Sequence, residues 1–207
     1  MTKTRLRPLL LLSLVALFIV VIFQTILISH SRATHDLQQS VSADLNRYIL
    51  NLQQELDRYK DLPKLLSSHS ELVNLLLLDG SEGVYRANLY LQKVNDTVGA
   101  SDTYLMDTKG TTLAASNWQK EHTFVGRNFS FRPYFRDAIK GHPGRYFALG
   151  TTSNKRGYFF SYPVEYRGNI LGVIVVKIDL NDIETDWSDP MTDIVVTDED
   201  GVIFIST

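Results

Sequence analysis

The chain has 207 residues, 44% hydrophobic and 21% charged, with no cysteine, so disulfide and thiol chemistry are excluded. That length suits one globular domain plus attachments and leaves two full domains tight. Three of the 21 Lys+Arg stand in the first thirty residues, which hold no acid; the other 18 face 23 Asp+Glu, a formal charge of −5, and no nucleic-acid partner is expected.

In chain order, the first feature is Leu9 to Ile28, apolar except for Ser13, Gln24 and Thr25. Twenty residues at 1.5 Å each span about 30 Å of hydrocarbon, which predicts a transmembrane helix over 9–29. "ILISHSRATH" offers no A-x-A cleavage site, so an uncleaved anchor is preferred to a signal peptide. Lys3, Arg5 and Arg7 precede the run and Arg32 beyond it is balanced by Asp36, which places residues 1–8 in the cytoplasm and the bulk outside.

Leu37, Val41, Leu45, Tyr48, Leu52, Leu56 and Tyr59 then recur at steps of three and four, a helix over 36–62 with one apolar seam. The seam can pack on a partner chain as a coiled coil or on its own domain. Pro63 breaks this helix, a second apolar stretch runs from Lys64 to Leu78, and "DGSEG" at 79–83 precedes a third helical pattern, Val84, Ala87, Leu91, Val94 and Val98.

From Thr103 the period changes to two. Strands are predicted at 103–107, 111–115, 145–150, 157–165 and 170–179, with "YRGN" (166–169) a tight turn between the last pair. Between the second and third lies "NFSFRPYFRDAIKGHPG", where Ser130 is expected to cap a short helix, Pro133 to suit its first turn and Gly141 to end it. The predicted fold class is α+β: an N-terminal transmembrane helix, a long helix, then a PAS-like five-stranded antiparallel sheet with a helical insert. "LNDIETDW" (180–187) leads into "DIVVTDEDGVIFIST" (193–207), which repeats "TYLMDTKGTTLAAS" (103–116) at an offset of 91, with Gly110 on Gly201 and Asp107 on Asp198. Asp-x-x-Gly between apolar runs is hairpin chemistry, so 193–207 reads as the first hairpin of a second domain of the same type. Fifteen residues cannot fold alone, so the sequence reads as a fragment of a longer protein or a truncated product.

"VIVVKID" (173–179) interrupts a β-branched strand with Lys177, on one face with Val173, Val175 and Asp179. Either Lys177 snorkels to water near the strand end, or it is a partly buried cation facing a pocket for an anion. Arg132 in "SFRPYF" sits in the first turn of the insert helix, as a surface arginine or as a fork for a carboxylate. Thr151, Thr152 and Ser153 in "GTTSNKRG" make a hydroxyl-rich loop, either a solvated turn or a source of donors for carboxylate oxygens. Taken together, two cations and a hydroxyl cluster around one sheet face describe a pocket for a small diacid, with Phe129, Tyr134 and Tyr146 as candidate walls. His30, His35, His69, His122 and His142 show no H-E-x-x-H spacing, and neither G-x-S-x-G nor a P-loop occurs, so no catalytic residue and no metal site are assigned.

The segments "NFSFRPYFRDAIKG", "GRYFALGTTSNKRGYFFSYPV" and "LGVIVVKIDL" resemble the sensor region of the DctB family, the C4-dicarboxylate sensor histidine kinases of Gram-negative bacteria, over roughly residues 5–207. The resemblance implies a membrane-distal PDC (double Cache) ligand-binding domain over 64–180 and, over 181–207, a linker and the start of a membrane-proximal PDC domain. It further implies an inner-membrane homodimer with a periplasmic sensor that binds succinate, fumarate or malate, and a kinase acting on a response regulator that controls dicarboxylate uptake. No cofactor is expected in this segment; ATP and Mg would belong to the kinase part. Carried onto this sequence, the family's ligand residues fall on Arg132 in R-P-Y-F, Thr151 after Leu-Gly, and Lys177, with Ser153 and Tyr134 as weaker transfers. Phe129 stands where some relatives have a tyrosine. The alternatives are a Cache sensor of a chemoreceptor or cyclase for another small carboxylate or amino acid, for which an acid is expected in place of Lys177, and an exported hydrolase.

Overall fold

The computed structural model describes residues 6–78, 80–151, 155–181, 185, 187, 193–197 and 201–206, with 6–13, 15, 16 and 26–37 described by their backbone alone. Two compact units result, Met1–Asn51 and Leu52–Thr207. Helix α1 (Leu6–Tyr59) forms the described part of the first and continues into the second. Separate helices at 9–29 and 36–62 are thus replaced by one uninterrupted helix, because no Gly or Pro occurs between residues 9 and 62. Among the described residues no helix is long and apolar enough to cross a membrane. The described side chains from Leu17 to Phe23 are exposed, Phe18 at 65% and Phe23 at 62%.

In the second unit the apolar seam of α1 is used intramolecularly: Leu56 and buried Tyr59 join the core, and the Tyr59 hydroxyl donates to the carbonyl oxygens of Val98 (3.3 Å) and Gly99 (3.2 Å). Pro63 starts a helix as well as ending one, since α2 (Leu62–Ser67) has it in its first turn, where its missing N–H costs nothing. Then come α3 (Ser70–Leu77) and α4 (Ser81–Val98), the latter stopped by Gly99 at φ 72.

The sheet consists of β1 (Asp102–Asp107), β2 (Thr112–Ala115), β3 (Gly144–Leu149), β4 (Arg156–Tyr166) and β5 (Asn169–Asp179). Its order is β2-β1-β5-β4-β3, antiparallel throughout. The turn predicted at 166–169 joins Tyr166 to Asn169 in register, with Arg167 at φ 52 and Gly168 at φ 79, the backbone of a type I′ turn. Strict alternation along β5 divides the core. Ile174, Val176 and Ile178 pack with Leu72, Leu75, Ala87 and Leu91 of the helices, while Val173 and Val175 pack with Tyr104, Met106 and the aromatic insert. Each fully buried Leu or Val stabilises the fold by roughly 1.5–3 kcal/mol.

The insert carries α5 (Pro133–Ala138) on this second face. Ser130 does not cap it; its hydroxyl donates to Asn128 Oδ1 at 2.7 Å, and Arg132 is the N-cap residue, with extended backbone and no side-chain cap. Pro133 at the first position fixes the φ that starts the helix, so no cap is required of Ser130.

The repeated hairpin is matched residue for residue. Tyr104↔Ala115, Leu105↔Ala114 and Met106↔Thr112 of the first correspond to Val195↔Ser206, Val196↔Ile205 and Thr197↔Ile203 in β6 (Val195–Thr197) and β7 (Ile203–Ser206), with the register shift at the same step. Asp107 Oδ1 accepts the amides of Lys109 and Thr111, each at 2.8 Å, and Gly110 and Gly201 share φ 81. Asp198 lies outside the described residues.

Candidate ligand-binding site

On the insert face of the sheet a small cavity is lined by Arg132, Thr151, Lys177, Tyr134, Phe129, Tyr104, Phe124, Phe159 and Gly150. It leaves about 10 Å³ to the centre of a water-sized sphere, room for about one water; counted with its open mouth, the space free of atoms is about 250 Å³.

Lys177 arrives there by the pleat of β5, on the face of Val173 and Val175. Snorkelling is excluded, since the residue is 0% exposed. Its stem crosses β4 where Gly157 has no side chain: a Cβ there would stand 2.8 Å from Lys177 Cε. The ammonium lies 3.7 Å from Asp102 Oδ2 and 5.9 Å from the centre of the Phe124 ring. Burial pushes its pKa below the usual lysine value, against the upward pull of Asp102 and then Asp179. Burial likewise raises the Asp102 carboxyl, against Lys177 and Lys120.

Arg132 approaches from the start of α5. Its Nη2 donates to the Leu149 carbonyl at the end of β3 (2.9 Å), and its guanidinium covers the Phe131 ring at 5.0 Å. No carboxylate pairs with Arg132 among the described residues. The helix beneath it is fixed to the sheet by Ser161, whose hydroxyl donates to the Tyr134 carbonyl at 2.7 Å. Tyr134 stacks on Phe159 with centroids 5.0 Å apart, and its hydroxyl shares a 2.7 Å hydrogen bond with that of Tyr104. Burial lifts the Tyr134 hydroxyl to a pKa of about 12, while burial and then Tyr134 raise Tyr104 well above the usual tyrosine value.

Of the sequence-derived candidates, Arg132, Tyr134, Thr151, Lys177 and Phe129 therefore meet at one cavity. Tyr146 does not line it: opposite Phe159 at the edge strand β3, it is 38% exposed. Thr152 and Ser153 lie outside the described residues. Sequence reasoning missed Asp102, Tyr104, Phe124 and Phe159. Their signal was present in part, because Tyr104 and Met106 alternate with Thr103 and Leu105, but which face is buried against the insert depends on β5 lying beside β1. Among the described residues no group of three or more His, Asp or Glu could hold a metal ion.

No protein-family model matches the chain. It is 42% identical to the C4-dicarboxylate transport sensor protein DctB of Pseudomonas aeruginosa over 79% of its length, and 34% identical to the protein of the same name from Rhizobium meliloti over 82%. It spans 27% of the length of each. The crystal structure of the V. cholerae histidine kinase DctB sensor domain superposes with a TM-score of 0.80 at 44% identity, over 83% of this chain and 67% of that one. The five-stranded antiparallel sheet with its helices is thus a PDC-like fold shared with that sensor domain. With identity above 40% and this shared fold, the chain belongs to the DctB family and corresponds to its sensor region.

Proposed function

We propose that this chain is the extracytoplasmic sensor of a two-component histidine kinase and binds a C4-dicarboxylate such as succinate, fumarate or malate. The single observation that carries this reading is the meeting of Arg132 and Lys177, 45 positions apart in the sequence, at one aromatic-walled cavity with Thr151 at its rim. One carboxylate is assigned to the Arg132 fork and the Thr151 loop, the other to the Lys177 ammonium. Charge-assisted hydrogen bonds contribute roughly 1.5–3 kcal/mol each, so four or five offset the entropy of association and reach about micromolar affinity.

The cavity has room for about one water, so a four-carbon diacid enters only if its walls separate. That requirement is useful in a sensor, because a ligand signals only when it favours one of two conformations. We assign α1 as the element that carries the change, with the exposed apolar run around Leu17 to Phe23 held in the inner membrane, the N-terminus cytoplasmic and a second copy of the chain as partner. ATP, Mg and the response regulator belong to the kinase part of such a protein.

Calorimetric titration of the whole chain in detergent with succinate, glycine and acetate tests the reading. Succinate should bind and glycine and acetate should not; binding of glycine in preference would favour the amino-acid sensors instead. Loss of succinate binding in Lys177→Ala with the fold retained is expected, and an affinity equal to wild type defeats the two-cation site.

A further inference from the structure

We propose that Asp102 is a positioning residue that keeps Lys177 positively charged for the incoming anion. The proposal deepens the dicarboxylate reading and rests on it.

Asp102 is the first residue of β1 and stands directly opposite Lys177 in the antiparallel register of β1 and β5, so the pleat sends both side chains to one face. An ammonium withdrawn from water among aromatic rings tends to lose its proton; a carboxylate within about 4 Å opposes that loss. Here the residue is wholly buried and the carboxylate oxygen is 3.7 Å away. Asp102 is itself held, since the Ser101 hydroxyl donates to its Oδ2 at 3.2 Å.

The pair separates two spaces. Lys177 lines the aromatic cavity on one side, and both residues line an open polar cleft of about 360 Å³ on the other. Among the interactions described for Lys177, the other charges do not replace Asp102. Asp179 from β5 is engaged by Lys155 at 3.3 Å, and these two act on Lys177 in opposite directions. From the loop after β2, Lys120, Glu121 and His122 line the cleft. On the cavity side, Arg132 and the hydroxyls of Tyr104 and Tyr134 supply positive charge and neutral groups and no carboxylate. Asp102 is also the largest upward influence on Lys177.

Replacing the carboxylate by its isosteric amide separates charge from shape. In Asp102→Asn the amine should lose its proton at lower pH, and binding of a dianion should then take up a proton. Two measurements on the whole chain in detergent decide the matter. The first is ¹³Cε NMR titration of Lys177 without ligand, where the midpoint in Asp102→Asn should lie about one pH unit or more below wild type and return in Asp102→Glu. The second is succinate titration between pH 7 and 9, above the carboxylate range, in buffers of different ionisation heat. Wild type should keep its affinity, whereas Asp102→Asn should lose up to about tenfold per pH unit with uptake of about one proton. Coincident NMR midpoints overturn the proposal, as does weaker binding in Asp102→Asn that is independent of pH and takes up no proton. A shifted midpoint with no succinate binding by wild type would instead overturn the dicarboxylate reading and leave the role of Asp102 as counter-ion intact.

Discussion

Lys177→Met keeps the length of the side chain and removes only its charge, so both binding and stability should respond to the lost ammonium alone. Binding loses one charge-assisted contact, roughly 1.5–3 kcal/mol, so succinate affinity should fall about ten- to hundredfold. Stability falls as well, because Asp102, 7% exposed, is left as a buried carboxylate without its lysine. Breaking a buried ion pair costs roughly 3–5 kcal/mol, and the low end applies here because 3.7 Å is longer than a direct hydrogen bond. The double variant Lys177→Met/Asp102→Asn removes both charges and should recover most of that stability without recovering affinity. Urea unfolding and calorimetry on the three proteins give both quantities. If Lys177→Met binds succinate as wild type does, the cation is not part of the site. If the double variant is no more stable than the single one, the pair is not electrostatically coupled.

Three more outcomes rest on single residues. Gly157→Ala places a methyl 2.8 Å from Lys177 Cε and 3.0 Å from the Ile178 carbonyl oxygen, so the buried lysine stem must move; calorimetry should show weaker succinate binding, and the unfolding midpoint should fall as well. Arg167→Asn relieves a non-glycine residue at φ 52 in a turn that favours Asn-Gly, and should raise stability by about 1 kcal/mol in thermal unfolding. Tyr134 has its folded pKa raised from 10.0 to about 12 by burial, so its contribution is complete below pH 10 and is lost as pH rises toward 12. Urea unfolding at pH 9, 10 and 11 should show Tyr134→Phe losing less stability with pH than wild type, up to about 3 kcal/mol over the full window; parallel losses would refute the burial argument.

The local grammar of this chain was legible where one strand's pattern suffices. Alternation along 173–179 identified the face of Lys177, and "YRGN" identified its turn, because both depend on neighbours in sequence. Asp102 and Tyr104 were not legible as site residues. Tyr104 faces the cavity, and Asp102 faces Lys177, only because β1 inserts beside β5, a pairing between residues 102–107 and 172–177 that no local period encodes. The helices show the same division. Residues 9 to 62 hold neither Gly nor Pro; the apolar run at 9–29 and the seam at 36–62 read as two segments because their patterns differ, while the backbone is one helix, Leu6–Tyr59.

The paired hydroxyls of Tyr104 and Tyr134 have a consequence for the hydrogen bonding that the cavity offers. Two oxygens 2.7 Å apart own two hydrogens, and only one can lie between them. The second finds no acceptor among the described residues, so it is offered to whatever occupies the hollow. The hydroxyl that donates to its neighbour keeps a lone pair of its own, so the pair presents one donor and one acceptor side by side, and the oxygen of a carboxylate placed there would take the donor. In the proposed site this spare hydrogen would add a neutral donor to the two cations, so that an anionic guest meets a hydrogen-bond partner that carries no charge.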